Sequence, residues 1–151
     1  MIEQNAEEMA ISKLREYLER CPKSFMSSHL LGQLLQEKGA LDEALVFYKR
    51  ATEINPNYYP SLNNLGILYI DRGEVEKALK TFTAGIKICE KASKKILEHS
   101  ILYFHAANLF FLRKDFDLAK KHYSEAIKIN KNFVEVLAKN HHLKLIMSEW
   151  G

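Results

Sequence analysis

At 151 residues, with 47% apolar and 27% charged side chains and a formal net charge of +3, the chain has the composition of one folded domain and not of a disordered or collagen-like polymer. Its longest apolar runs, 101–104 and 106–112, fall far short of the ~20 residues of a membrane-spanning helix, so no membrane insertion is expected. Cys21 and Cys89 lack any CxxC or zinc spacing and read as free thiols, and an acidic start without an apolar core (Glu3, Glu7, Glu8) is not a secretory leader; a cytoplasmic chain is expected.

In chain order, hydrophobic periodicity and helix-stop residues predict helices over about 2–20, 25–38, 42–54, 58–71, 75–92, 98–112, 116–129 and 133–149. These helices repeat. Leu31 and Leu65, Gly32 and Gly66, Gly39 and Gly73, Ala44 and Ala78, Leu45 and Leu79, Tyr48 and Phe82, and Ala51 and Gly85 all stand 34 residues apart. The same offset carries Ala44, Tyr48, Ala51 and Pro56 back onto Ala10, Leu14, Tyr17 and Pro22, so 2–22 reads as the second half of a preceding unit. Ala78, Phe82 and Gly85 recur as Ala119, Tyr123 and Ala126 after 41 residues. The seven additional residues fall in a stretch without Pro or Gly, which predicts a helix prolonged to about residue 99.

Small residues at Gly32, Gly66 and Ala107 on first helices, and at Ala44, Ala78 and Ala119 on second helices, let two helices approach closely; Tyr48, Phe82 and Tyr123 fill the adjoining gap. Each hairpin then leaves an apolar side that only a neighbouring hairpin covers, so stacking is expected. Gly39 and Gly73 sit where a first helix must end in a left-handed residue, and Pro22 and Pro56 stop second helices.

This pattern, a large residue then L-G, A-x₃-F/Y-x₂-A/G and P, resembles the tetratricopeptide repeat family over about residues 7–133. The resemblance implies an all-α fold, a right-handed superhelical stack of helix-turn-helix hairpins. It divides a single domain, 1–151, into a half repeat 2–22, repeats 25–58, 59–92 and 100–133, and a capping helix 134–150, the second repeat carrying the prolonged helix. The third repeat departs from the pattern, with Ala107 and Lys114 for the two glycines and Lys131 at the proline place.

The sequence contains no GxSxG, GxGxxG, P-loop or HExxH, so it is not read as an enzyme, and no cofactor is expected. Adjacent His141 and His142 diverge by roughly 100° on a helix and are not read as metal ligands. The lysine clusters lack aromatic interleaving, and no nucleic acid is expected.

What the resemblance implies instead is protein binding on the faces of the first helices. Carrying over positions two, five, six, nine and twelve of each repeat gives Met26, His29, Leu30, Gln33 and Gln36; Pro60, Asn63, Asn64, Ile67 and Ile70; and Ile101, Phe104, His105, Asn108 and Phe111. Amides for a peptide backbone beside apolar groups for its side chains suit a partner segment or helix. The subgroup that clamps the C-terminal carboxylates of heat-shock proteins is not matched. Of its five positions, here His29, Gln33, Asn64, Phe104 and Asn108, only Asn64 carries the expected residue. A partner-binding scaffold is the leading expectation. Self-assembly into a homo-oligomer through the stack ends, with Val136, Leu143, Met147 and Trp150 in the contact, is the second, and a small secretion-type chaperone the third.

Overall fold

The structure, a computed structural model, describes the backbone of residues 2–140 and the side chains of residues 5–132, and every regular element among them is an α-helix. Contacts gather the chain into two units, Met1–Gly73 and Glu74–Gly151.

The first unit holds α1 (Ile2–Arg20), α2 (Phe25–Glu37), α3 (Leu41–Ile54) and α4 (Tyr59–Asp71), each packed on the next along the chain. Their ends follow from local chemistry. Ser24 precedes α2 in an extended conformation, and its hydroxyl accepts the Ser27 N–H at 3.3 Å. Asp42 and Glu43 place negative charge in the first turn of α3, and Pro60 occupies the first turn of α4, where its missing N–H costs nothing. Helix α2 leaves through Gly39 at φ 82°: the Ala40 N–H reaches back to Leu35 O at 2.8 Å and the Gly39 N–H to Gln36 O at 3.0 Å. That pairing satisfies two carbonyls the helix end would otherwise orphan.

Small-on-large packing holds α2 to α3. Ala44, Tyr48 and Ala51 are fully buried. A Cβ placed on Gly32 would lie 2.9 Å from both Cδ1 and Cε1 of Tyr48, closer than carbon atoms approach, so the hydrogen of glycine is what lets the ring lie against the backbone of α2.

The second unit holds α5 (Val75–Glu90), α6 (Leu97–Leu112) and α7 (Phe116–Asn140). Ala78, Phe82, Phe104, Ala107 and Ala119 have no exposed surface. The Phe104 ring meets Tyr123 edge-on at 5.8 Å, and the Ser100 hydroxyl donates to Ala126 O at 2.9 Å, tying α6 to α7. Helix α7 is interrupted at Asn130, whose φ of −153° and ψ of 92° are non-helical, close to the expected boundary between 116–129 and the final helix. The α6–α7 turn repeats the α2–α3 turn without glycine: Lys114 takes φ 64°, with Lys114 N to Phe111 O and Asp115 N to Phe110 O both at 2.9 Å.

One expectation is corrected. Helix α5 does not run to about residue 99 but ends at Glu90, and residues 91–96 form a non-helical link. Against the 34-residue register, the seven extra residues divide three ways: two lengthen α5, two lengthen the link, and three start α6 early. The stop needs neither Pro nor Gly because side chains satisfy the loose backbone groups. Lys95 Nζ donates to Cys89 O at 2.5 Å, and the Ile96 N–H donates to His99 Nδ1 at 3.3 Å.

Candidate protein-binding face

Helical periodicity groups the expected binding residues into stripes. Met26, Leu30 and Gln33 stand at i, i+4 and i+7 on α2, and Asn63, Ile67 and Ile70 do so on α4. Met26 and Leu30 are each 43% exposed; Gln33, Ile67 and Ile70 are half-buried. Hydrogen bonds then fix the amides beside them. Asn64 Nδ2 donates to Tyr48 Oη at 3.2 Å, and Tyr48 Oη donates to Gln36 Oε1 at 2.8 Å, so one phenol on α3 joins α4 to α2. Burial pushes that phenol up to about 12, with Glu37 adding to the rise and the Asn64 bond opposing it, so the hydroxyl stays protonated and able to donate. The Asn63 carbonyl oxygen is buried and has no hydrogen-bond partner among the described residues.

His29 is not part of an open surface, contrary to the sequence expectation. It is 4% exposed, its Nδ1 shares a 3.0 Å hydrogen bond with Ser61 Oγ, and Tyr58 meets its ring edge-on at 5.1 Å. Burial lowers its pKa below the ordinary histidine value, so the neutral ring serves as packing between α2 and α4.

In the second unit the expected residues divide similarly. Phe104 is wholly buried and is likewise corrected from binding residue to core, because it fills the space against Tyr123. His105 is half-buried and stacks on Phe82 at 5.1 Å with an interplanar angle of 20°. Asn108 accepts from the Tyr123 hydroxyl, and Phe111 meets Phe116 edge-on at 5.4 Å. Ile101, Asn108 and Phe111 are half-buried.

Tyr48 and Tyr123 were read from sequence as gap-fillers alone, and their hydroxyl bonds were missed. The signal was present: the middle repeat has Phe82 at the same position, so a hydroxyl in the other two requires a polar partner. At the N-terminal side, Met9 is exposed, whereas Ile11 is 8% exposed and belongs to the core. The end-docking residues Val136, Leu143, Met147 and Trp150, and the pair His141 and His142, lie outside the described side chains. Among the described residues, no group of three or more His, Cys, Asp or Glu could hold a metal ion, and no helix is long and apolar enough to cross a membrane.

Sequence profiles of the tetratricopeptide repeat family match residues 27–58, 47–80 and 100–133, together more than half of the chain. Protein STIP1 homolog of Dictyostelium discoideum is 24% identical over 102 residues, 68% of this chain and 18% of that protein. BBSome complex member BBS4 of Bos taurus is 39% identical over 51 residues, 34% of this chain and 10% of that protein. The chain thus spans less than a fifth of the length of either curated relative. Among solved structures, MamA superposes with a TM-score of 0.71 at 19% identity, over 89% of this chain and 74% of MamA, a likeness of fold.

Proposed function

Because the chain belongs to the tetratricopeptide repeat family, whose fold generally mediates protein–protein interaction and whose members are typically non-catalytic scaffolds, we propose that it is a binding module that holds a segment of another protein against α2 and α4. The partner's apolar side chains rest on Met26, Leu30 and Ile67, and its backbone meets Gln33 and Asn63. His29 and Phe104 hold the fold and do not touch the partner.

The observation that carries this reading is the set of partly exposed apolar side chains, Met26, Leu30, Ile67 and Ile70, beside the half-buried amide of Gln33. The naming of BBS4 as a complex member supports the same reading by analogy.

A photo-crosslinking amino acid at Leu30, compared with one at Val46, which is 59% exposed on α3, tests it in lysate of the source organism. A discrete adduct from Leu30 and none from Val46 is expected. Equal labelling from both positions, or a discrete adduct only from Val46, moves the partner off this face.

A further inference from the structure

Helix α5, the 91–96 link, α6 and α7 line an open cavity of about 450 Å³ that lies wholly within residues 74–151. It exists because the repeat spacing is stretched there: Glu90 from the lengthened end of α5 and Lys95 from the lengthened link form part of its wall. Tyr103, Lys121 and His122 form another part.

Tyr103 is the informative residue. It is 6% exposed, its ring lies against His122 at 5.8 Å, and its hydroxyl has no hydrogen-bond partner among the described residues. Burial, then the nearby Glu90 and Glu125, push that phenol up to about 12, so it presents a proton to the cavity.

The charges around it do not cancel. Glu125 is taken up by Lys128 at 2.6 Å. Lys95 Nζ is bonded to a carbonyl, Cys89 O, and Lys121 forms no ion pair among the described residues, so two ammonium groups face one carboxylate, Glu90. The surrounding sequence has the same sign: residues 76–151 carry 14 Lys and Arg against 8 Asp and Glu.

We propose that this cavity receives an acidic side chain, Asp or Glu, of a partner protein, held by Lys95, Lys121 and the Tyr103 hydroxyl. Its methylene stem rests on Ile129 and the His122 ring. Glu90 opposes the two ammonium groups and so weakens the hold on any anion, which is why its removal tightens binding. The basic excess steers an acidic segment toward the unit. This site does not depend on the α2 and α4 face.

Fluorescein-labelled hexaglutamate, titrated by anisotropy into the full chain at low salt, tests the assignment. Lys121→Gln weakens binding about threefold, as for an exposed ion pair. Tyr103→Phe weakens it about tenfold, as for a hydrogen bond to a charged group, and leaves the helical signal and melting temperature in place. Glu90→Gln tightens it, and Lys80→Gln, exposed on α5 away from the cavity, leaves it unchanged. Leu30→Glu also leaves it unchanged, which separates failure here from failure of the α2 and α4 reading.

Several results overturn the proposal: no binding by the wild type, equal losses for Lys80→Gln and Lys121→Gln, or weaker binding in Glu90→Gln. Inorganic phosphate that displaces the peptide at a concentration below the peptide's own dissociation constant reassigns the cavity to phosphate. If Tyr103→Phe fails to fold, the opposite signs required of Lys121→Gln and Glu90→Gln still decide the matter.

Discussion

Gly32 is the residue at which one methyl group decides whether α2 and α3 can meet. The ring it would strike belongs to a fully buried Tyr48 whose hydroxyl is bonded on both sides, so neither backbone nor ring has an easy retreat. Gly32→Leu is therefore expected to lower stability by about 3 kcal/mol, even though leucine has the better helix propensity by almost 1 kcal/mol. Urea unfolding measures it, and an unchanged midpoint contradicts the packing described. His29 makes a second prediction, with a sign. Its folded pKa lies below the unfolded value near 6.5 because burial disfavours the charged ring, so the folded state binds fewer protons. Its contribution to stability is complete above the unfolded pKa and is lost as the pH falls through the folded one. His99 is shifted the same way by burial and by Lys95, against Glu98. The melting temperature should therefore fall between pH 7.5 and pH 5, and His29→Gln should remove part of that fall; a slope identical in the variant contradicts it.

Helix ends decide how much of the architecture a sequence reveals. Gly39, Gly73 and Pro56 announce their turns because each has a backbone preference that few residues share, and the helices beside them fall where periodicity predicts. Lys114 announces nothing, yet adopts the same left-handed conformation, held by the bonds from Lys114 and Asp115 back into α6. A non-glycine residue in that region costs roughly 1 kcal/mol, so Lys114→Gly is expected to raise stability by about that amount in thermal or urea unfolding. A loss of stability instead would mean that the lysine side chain contributes more than its backbone strain costs. The end of α5 was illegible for a related reason. Its Cys89 carbonyl accepts from Lys95, a residue six positions on, and no local pattern distinguishes that lysine from its neighbours Lys91 and Lys94. The cavity beside it was illegible with it, because a continuous helix would have set Glu90 and Lys95, five residues apart, about 140° from each other around its axis.

At the scale of the whole molecule, the chain carries −3 over residues 1–75 and +6 over residues 76–151, and the two candidate binding features fall one in each unit. The α2 and α4 face was largely legible, because family positions on first helices translate directly into stripes: Leu30, Gln33, Asn63, Ile67 and Ile70 keep partial exposure. His29 and Phe104 were misread because the same register also points at the neighbouring helix, and a ring reaches it where a shorter side chain does not. The central claim is that a partner protein seats on this face. Its most direct test is the affinity of the partner crosslinked through Leu30 for wild type and for Leu30→Glu/Ile67→Glu, measured by isothermal titration with melting curves alongside. Loss of about 2 kcal/mol or more, roughly thirtyfold in dissociation constant, with an unchanged melting temperature is the predicted result. Binding within a factor of two of wild type by a folded double variant would contradict it.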